Sequence, residues 1–291
     1  MSPLLFNAAL ESTIRKWKAR LSTHGWQLTE QGTHERLTNV RYADDILLFG
    51  KSLVEITEMM ELLGVELSKA GLSINGAKTK ILTTNTDAIS CQVPTLLDIG
   101  DFFVEVVRRD GCHKYLGRQW SGDLRVRGQC NLEHRLSLSW FKFHKLHKVM
   151  TNQNVPVHLR LKLFDSVVSP TAVYSLGTTP LTSVQLERLD ATQRRMLRRI
   201  VGWVRLDDEA WEMTGSRMKH RLQAALTRYP VRKWSESRNH SKERMLQRLA
   251  AGTAPALAGL AFSWQPGSHN SNIQNDTHGY RLRGRPTQRW C

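Results

Sequence analysis

Cysteine is scarce in this chain, and its spacing matches no common disulfide or zinc framework. The 291-residue sequence contains no Cys-x-x-Cys pair, and its four cysteines are far apart: Cys91, Cys112, Cys130 and Cys291. Disulfide-stapled secreted domains and zinc ribbons both need denser cysteine patterns. We therefore expect no disulfide framework and an intracellular, reducing compartment, either nuclear or cytoplasmic. Cys130 and His134, four residues apart, are only a weak zinc signal.

Long hydrophobic runs are also missing. No apolar stretch approaches the roughly 18 residues that a membrane span needs. The apolar run Leu4–Phe6 is too short for a signal peptide and is followed by charged residues. Hydrophobic residues nevertheless make up 40% of the chain, which is enough for a packed core. The sequence predicts about two folded domains and no membrane partner.

Acidic residues are too few to balance the basic ones. The chain has 42 Lys and Arg against 26 Asp and Glu, a net charge of +16. Residues 108–250 hold 28 basic and 12 acidic residues, so the whole excess lies in this stretch. Such a field attracts phosphate backbones and favours a nucleic-acid partner. An ordinary solvated surface and an anionic membrane surface remain the alternatives.

The hydrophobic pattern predicts an α+β fold. Residues 1–85 have an α-β-β-α-β pattern with an antiparallel sheet, in which Ser52 and Gly71 cap the second helix. The pattern becomes helical from Leu132, and Ser, Asn, Gly and Pro dominate after Gly252. We predict three regions, at residues 1–125, 126–251 and 252–291.

Two adjacent carboxylates lie between two β-rich apolar runs. Leu37–Tyr42 and Ile46–Phe49 flank Ala43, Asp44 and Asp45, which predicts a hairpin despite the missing turn glycine. At a hairpin turn both carboxylates can lie near one edge and offer Mg²⁺ the oxygen ligands that it prefers. A bare Asp-Asp pair is more often an ordinary turn. The surrounding residues therefore have to decide between the two interpretations.

Four motifs along the chain resemble those of reverse transcriptases, in the family's order. Arg41–Phe49 resembles the palm hairpin, and Ser2–Asn7 resembles the palm helix that precedes it. Gly71–Thr79 is similar to the next palm motif, and Tyr115–Gly117 is similar to the primer-grip motif. The combination identifies the family, although each motif alone would be weak evidence.

The later half resembles the region after the polymerase in non-LTR, LINE-type retrotransposons. The segments that carry this resemblance are Arg160–Pro170, Gln193–Ile200 and Gly284–Trp290. The resemblance implies a partial polymerase palm at 1–125, an antiparallel sheet with helices. It further implies a mainly α-helical, thumb-like and basic connector region at 126–251. The tail 252–291 is expected to be loosely structured.

The resemblance also implies roles for single residues. Asp44 would be a catalytic metal ligand, and Asp45 would be its helper or a second ligand. Lys78 would lie near the pyrophosphate leaving group, as a stabiliser or as a general acid. Tyr42 would pack near the primer end. The remaining implied contacts are Phe6 and Asn7 with template or nucleotide, and Tyr115, Leu116 and Gly117 with the primer strand.

The implied activity is Mg²⁺-dependent extension of a DNA primer on an RNA template from dNTPs. The family's first metal ligand is an Asp on a strand before the Ser2–Asn7 motif, which this sequence does not contain. We therefore expect the intact parent to polymerise and this chain alone to be inactive. The oligomeric state stays open.

The alternatives are a non-catalytic, basic module that binds nucleic acid or a partner, and a chain without retained function. The predicted helix at 182–201 is amphipathic, with a cationic flank and an apolar side formed by Leu186, Leu189, Met196, Leu197 and Ile200. A charged, solvated face is the simpler interpretation of this flank. The nucleic-acid-binding candidates on the helix are Arg194, Arg195, Arg198 and Arg199.

Overall fold

A computed structural model describes residues 3–27, 36–84, 96–100 and 102–253. These residues form two compact units, of which the second runs from Asn75 to Ala251. Part of the predicted strand after Trp26, the tail from residue 254 and the Gly284–Trp290 motif lie outside the described residues. The helices are α1 (Pro3–Ala19), α2 (Leu53–Lys69), α3 (Leu124–Lys145), α4 (His147–Met150), α5 (Val157–Val173), α6 (Ser183–Val201), α7 (Trp211–Arg228) and α8 (Trp234–Ala250).

The strands of the described ranges are short and form four small sheets. β1 (Trp26–Gln27) pairs with β2 (Arg36–Leu37), β3 (Asn39–Tyr42) pairs with β4 (Asp45–Leu48), and β8 (His113–Tyr115) pairs with β9 (Arg118–Trp120), all antiparallel. In the remaining sheet, β7 (Phe102–Val107) lies between β5 (Lys80–Leu82) and β6 (Leu96–Ile99).

One strand pair departs from the antiparallel sheet expected for the first 85 residues. β5 runs parallel to β7, with Ile81 opposite Val106, whereas β6 runs antiparallel to β7. Ile81 and Val106 are both buried. The pairing therefore places two apolar side chains together in the core, which the local sequence of β5 could not indicate. The mixed helices and small sheets agree with the expected α+β class.

The core of the first unit lies between α1 and α2. Apolar residues three and four apart on each helix, including Ile14, Trp17, Met59 and Leu63, form one buried cluster. Trp17 is fully buried, and its indole Nε1–H donates a 2.9 Å hydrogen bond to the carbonyl of Met59. The apolar cluster thus holds α1 against α2, and the buried indole N–H of Trp17 has a hydrogen-bond acceptor.

The predicted caps of α2 are present. The Ser52 hydroxyl accepts a hydrogen bond from the Glu55 backbone N–H at 3.1 Å. At the other end Gly71 has φ +70°, and the N–H groups of Gly71 and Leu72 donate to the carbonyls of Ser68 and Leu67. This is a Schellman motif, in which glycine adopts the left-handed conformation at little cost.

The core of the second unit brings together residues from α3 to α8, most of them on α3, α5 and α6. Phe143, Phe164, Met196 and Trp234 are each fully buried within one cluster. The predicted capping box of α6 is complete, because Thr182 and Gln185 each accept a hydrogen bond from the other's backbone N–H. The helical region thus has its own hydrophobic core.

A disulfide between Cys112 and Cys130 corrects the expectation that the cysteines stay unpaired. It joins the segment before β8 to α3, with a Cα–Cα distance of 6.8 Å. The spacing of the cysteines along the sequence could not indicate that Cys112 and Cys130 lie close together, because their distance depends on how α3 packs beside the β8–β9 hairpin. The described residues contain no group of three His, Cys, Asp or Glu side chains suited to a metal ion, so the weak zinc signal at His134 gains no support.

Reduction of this disulfide is expected to destabilise the second unit. The bond closes a loop with a sequence separation of 18 residues. Constraining such a loop in the unfolded chain contributes about 3 kcal/mol. We expect a reductant to lower the free energy of unfolding by about 2–4 kcal/mol in a denaturant titration.

The matched control is the double variant Cys112→Ser/Cys130→Ser, whose stability should not respond to reductant. Detection of both cysteines as free thiols in the native, unreduced protein by alkylation and mass spectrometry would contradict the pairing.

Candidate functional site

The two adjacent carboxylates lie at the end of the β3–β4 hairpin. Tyr42 is paired with Asp45, so that Ala43 and Asp44 form a two-residue turn. Asp44 therefore belongs to the turn, and Asp45 begins β4. Both residues are exposed. The hairpin predicted from the sequence is thus present, and it presents both carboxylates at one end of a strand pair.

The turn is made without glycine, and Ala43 adopts a φ of +53°. A side chain in the left-handed region costs on the order of 1–2 kcal/mol. Two-residue hairpins need such a conformation because it matches the twist of the strands. The missing glycine therefore leaves a strained residue directly beside Asp44.

The hairpin is tied to α1 by an ion pair. Arg41 donates to a carboxylate oxygen of Glu11 at 2.6 Å, and Arg15 donates to the other oxygen at 2.8 Å. Hydrogen bonds from Arg15 and Arg41 lower the pKa of Glu11 to about 2. Ile46 and Leu48 of β4 pack against the buried α1–α2 cluster. The strand that carries Asp45 is therefore held on a fixed base.

The hairpin carboxylates remain available to a cation. Within the described ranges, neither Asp44 nor Asp45 forms an ion pair or accepts a side-chain hydrogen bond. Exposed carboxylates suit Mg²⁺, which takes one or two of them together with waters and substrate phosphates. No third metal-binding side chain joins them among the residues that the structure describes. The pair fits part of a magnesium site.

Three other predicted contacts belong to the same unit. Phe6 lies on α1 and packs against the α1–α2 cluster, whereas Asn7 is exposed on the next position of the helix. Tyr42 has 68% of its surface exposed at the end of β3. Phe6 therefore has a packing role, and Asn7 and Tyr42 keep accessible polar groups.

Lys78 lies in the second unit, in a turn before β5. Its backbone N–H donates to the carbonyl and the side-chain oxygen of Asn75, at 3.1 and 3.2 Å. The side chain is exposed. Asn75 thus fixes the backbone of this turn and leaves the Lys78 ammonium free to meet an anion.

The Tyr115–Gly117 motif lies at another tight hairpin within the described residues. Leu116 and Gly117 form the turn between β8 and β9, with φ values of +47° and +74°. Positive φ at both central positions is the requirement of a type I′ turn. Arg135 of α3 donates to the Gly117 carbonyl, and the Tyr174 hydroxyl approaches the Leu116 carbonyl at 3.5 Å. Sequence reasoning missed these two supporting residues, which are distant along the chain.

The four arginines of α6 are exposed but have different surroundings. Arg194 is paired with Glu187 on the same helix. Arg198 lies over the Trp203 ring at 5.8 Å, and Arg199 lies over the Trp140 ring at 4.9 Å. Such cation–π contacts hold a guanidinium without neutralising its charge.

A cleft between α3 and α6 lies next to these arginines. It has a volume of about 470 Å³ and is lined by residues that include Trp140, Arg188 and Arg195. Arg188 is 3.4 Å from Glu133, whereas Arg195 forms no ion pair within the described part of the chain. Arg195, Arg198 and Arg199 together form a cationic strip, which we call the α6 basic face.

Comparison with known proteins agrees with these observations. Residues 1–120 match the family model of reverse transcriptase (RNA-dependent DNA polymerase). The chain is also 30% identical over 173 residues to a putative uncharacterized transposon-derived protein of Caenorhabditis elegans. That alignment covers 57% of this chain and 57% of the length of the worm protein. The first 120 residues are therefore reverse transcriptase-like, and the chain is related to a transposon-derived protein.

Reverse transcriptases act on nucleic acids and generally use a divalent metal. The family match agrees with the resemblance seen in the sequence for residues 1–120. None of the helices in the described ranges is long and apolar enough to cross a membrane.

Proposed function

We propose that this chain contributes part of an RNA-directed DNA polymerase, in which Asp44 and Asp45 bind catalytic magnesium. The observation that carries the proposal is the β3–β4 hairpin. Its two exposed carboxylates are held on a fixed strand pair, within a segment that is reverse transcriptase-like. The Arg41–Glu11 ion pair ties this strand pair to α1.

Bound magnesium would activate the attacking primer hydroxyl and neutralise charge on the leaving pyrophosphate. Residues of this chain would position the ion, the primer end and the leaving group. The Asp44 and Asp45 carboxylates would hold the ion. Tyr42 would pack near the primer end, and Lys78 would place a positive charge at the leaving group.

We propose that the chain derives from a non-LTR retrotransposon and that it includes both palm and thumb-like parts. Residues 1–125 would form the partial palm, and residues 126–251 the helical, basic connector. Template–primer phosphates would lie against the α6 basic face, and the turn of Leu116 and Gly117 would contact the primer strand. Nucleic-acid partners of this kind would place the protein in the nucleus or cytoplasm.

The 291-residue chain by itself is expected not to extend a primer. The described residues offer two hairpin carboxylates and no third metal-binding side chain with them. A two-metal site with too few ligands should bind its ions poorly. The test is dNTP incorporation on a homopolymeric RNA template with a DNA primer and Mg²⁺.

We expect incorporation at the level of the Asp44→Asn variant, which serves as the control. Robust incorporation by the unsubstituted 291-residue chain, lost in Asp44→Asn, would overturn the expected inactivity. That result would still support the assignment of Asp44 as a metal ligand.

The second candidate function is a non-catalytic module that binds nucleic acid. It is favoured by the α6 basic face, whose three arginines form no ion pair in the described ranges. The two candidate functions predict different effects of substitutions in the β3–β4 hairpin. A binding module would tolerate Asp44→Asn without any change in its affinity for metal or nucleic acid.

A further inference from the structure

Three arginines around the β8–β9 hairpin have no carboxylate partner in the described part of the chain. Arg118 begins β9, and Arg127 and Arg135 belong to α3. Their hydrogen bonds go to neutral oxygen atoms. We call Arg118, Arg127 and Arg135 the hairpin arginine cluster. It is separate from the α6 basic face and from the carboxylate hairpin.

Two members of the cluster lie against one tryptophan. The guanidinium carbons of Arg118 and Arg127 are 5.5 and 5.0 Å from the centroid of the Trp120 ring. Arg118 also donates to the Thr179 hydroxyl at 3.3 Å, and Arg127 donates twice to the Ser121 carbonyl, at 2.8 and 3.2 Å. These contacts orient two cations near each other and leave their charges uncompensated.

The third member is nearly inaccessible to solvent. Arg135 is 5% exposed, donates to the Gly117 carbonyl and lies 4.5 Å from the centroid of the Tyr174 ring. Charged side chains are almost never buried without a partner. Burial lowers the pKa of all three guanidinium groups, and the charge of Arg127 lowers the pKa of Arg118 further.

Two buried donors within the cluster have no acceptor among the described residues. They are the Nε–H of Arg135 and the indole Nε1–H of Trp120. Unsatisfied buried donors are rare in folded proteins because they lose their hydrogen bonds to water. Each of these two donors could donate to an oxygen atom of a bound anion.

The carboxylates nearest in sequence are already engaged elsewhere. Asp123 caps α3 and accepts from the backbone N–H groups of Arg125 and Val126. Glu133 accepts from Gln129 and Arg188. The described chain therefore provides three guanidinium groups around the β8–β9 hairpin, of which Arg118 interacts electrostatically with both Arg127 and Arg135, and no carboxylate paired with them.

We propose that the hairpin arginine cluster binds a phosphate group, supplied either by a nucleic-acid strand or by free phosphate or pyrophosphate. A phosphate has several strong acceptor oxygens, which match the fork geometry of guanidinium groups. Its negative charge would offset the repulsion between Arg118 and Arg127. The cluster also supports the Leu116–Gly117 turn through Arg135, so an anion bound there would stabilise that turn.

The test compares the heat stability of the full chain in pyrophosphate and in chloride at matched ionic strength. We expect pyrophosphate to raise the melting temperature of the parent chain specifically. Arg118→Gln and Arg127→Gln should lose this rise, because each removes one positive charge from the site. Lys162→Gln, an exposed lysine on α5 with the same change in charge, should keep it.

A second measurement identifies the source of the phosphate. If the source is a strand, Arg118→Gln should weaken the binding of a labelled single-stranded RNA about tenfold or more in fluorescence anisotropy. Unchanged RNA affinity together with a lost pyrophosphate effect would assign the site to free phosphate. Both outcomes support the proposed site.

The proposal is overturned if pyrophosphate stabilises the parent and both variants equally, or if neither ligand distinguishes the parent from Arg118→Gln. If Arg118→Gln does not fold, Arg118→Lys keeps the charge and removes the fork, and it should retain only part of the effect. The α6 basic face is tested separately, because substitution of its arginines should leave the pyrophosphate effect intact.

Discussion

Replacing Arg195, Arg198 and Arg199 together with glutamine is expected to weaken binding to an RNA–DNA duplex about 100-fold at moderate salt. All three side chains are exposed, and two are held over tryptophan rings with their charges intact. Each neutralised phosphate releases counterions, so the slope of log affinity against log salt should fall by about 2–3 units. Fluorescence anisotropy across a salt series measures both quantities.

The matched control removes three charges elsewhere. Lys162, Lys219 and Arg244 are exposed on α5, α7 and α8, and their substitution by glutamine gives the same net charge. This control should change the affinity for the RNA–DNA duplex only slightly and keep most of the slope of log affinity against log salt. Equal losses in both triple variants would mean that the overall charge of +16 attracts nucleic acid without a specific face.

Replacing Trp234 with alanine is expected to destabilise the second unit by about 3–5 kcal/mol. Trp234 is fully buried at the start of α8 and stacks on Phe164, with 5.9 Å between ring centroids. Its indole N–H donates to the Ser169 hydroxyl at 3.0 Å, and its backbone N–H donates to the Gln193 side chain at 3.0 Å. The substitution therefore leaves a cavity and a buried hydroxyl that loses its donor.

The matched control is Trp211→Ala on α7. Trp211 is 65% exposed, so its loss should change the free energy of unfolding by less than about 1 kcal/mol. Denaturant titrations followed by circular dichroism measure both variants. Similar small effects at the two positions would show that α8 does not pack on α5 as described.

The sequence predicted the parts of the structure that depend on local pattern. The hairpin around Asp44 followed from two apolar β-rich runs, and the ends of α2 followed from Ser52 and Gly71. The α6 capping box followed from Thr182 and Gln185. In each case, the residues that determine the structure lie within a few positions of one another.

Features that depend on distant residues were not predictable in this way. The parallel pairing of β5 with β7 is decided by apolar side chains that meet in the core. The Cys112–Cys130 bond requires α3 to pack beside the hairpin. The hairpin arginine cluster joins β9 and α3, so no spacing along the chain indicates it. The positive φ of Leu116 could not be predicted from the sequence either, because leucine does not favour turns.

The roles of the candidate site residues were expected from the family resemblance, and the structure adds how the site is supported. Asp44 and Asp45 were assigned from the resemblance of Arg41–Phe49 to the palm hairpin, whereas Glu11, which anchors Arg41, lies on α1. The predicted division at residues 125 and 251 stays a prediction. The roles of Lys78 and Tyr42 also remain proposals that depend on the metal site.

The central claim is that the hairpin carboxylates bind a divalent cation, and Mn²⁺ titration of the ¹⁵N-labelled chain tests it most directly. Paramagnetic Mn²⁺ should broaden the amide resonances of Ala43, Asp44, Asp45 and Ile46 first. Asp44→Asn/Asp45→Asn should lose this broadening, and Asp98→Asn, an exposed carboxylate on β6, should keep it. Broadening that is absent at the hairpin, or unchanged in the double variant, would contradict the claim.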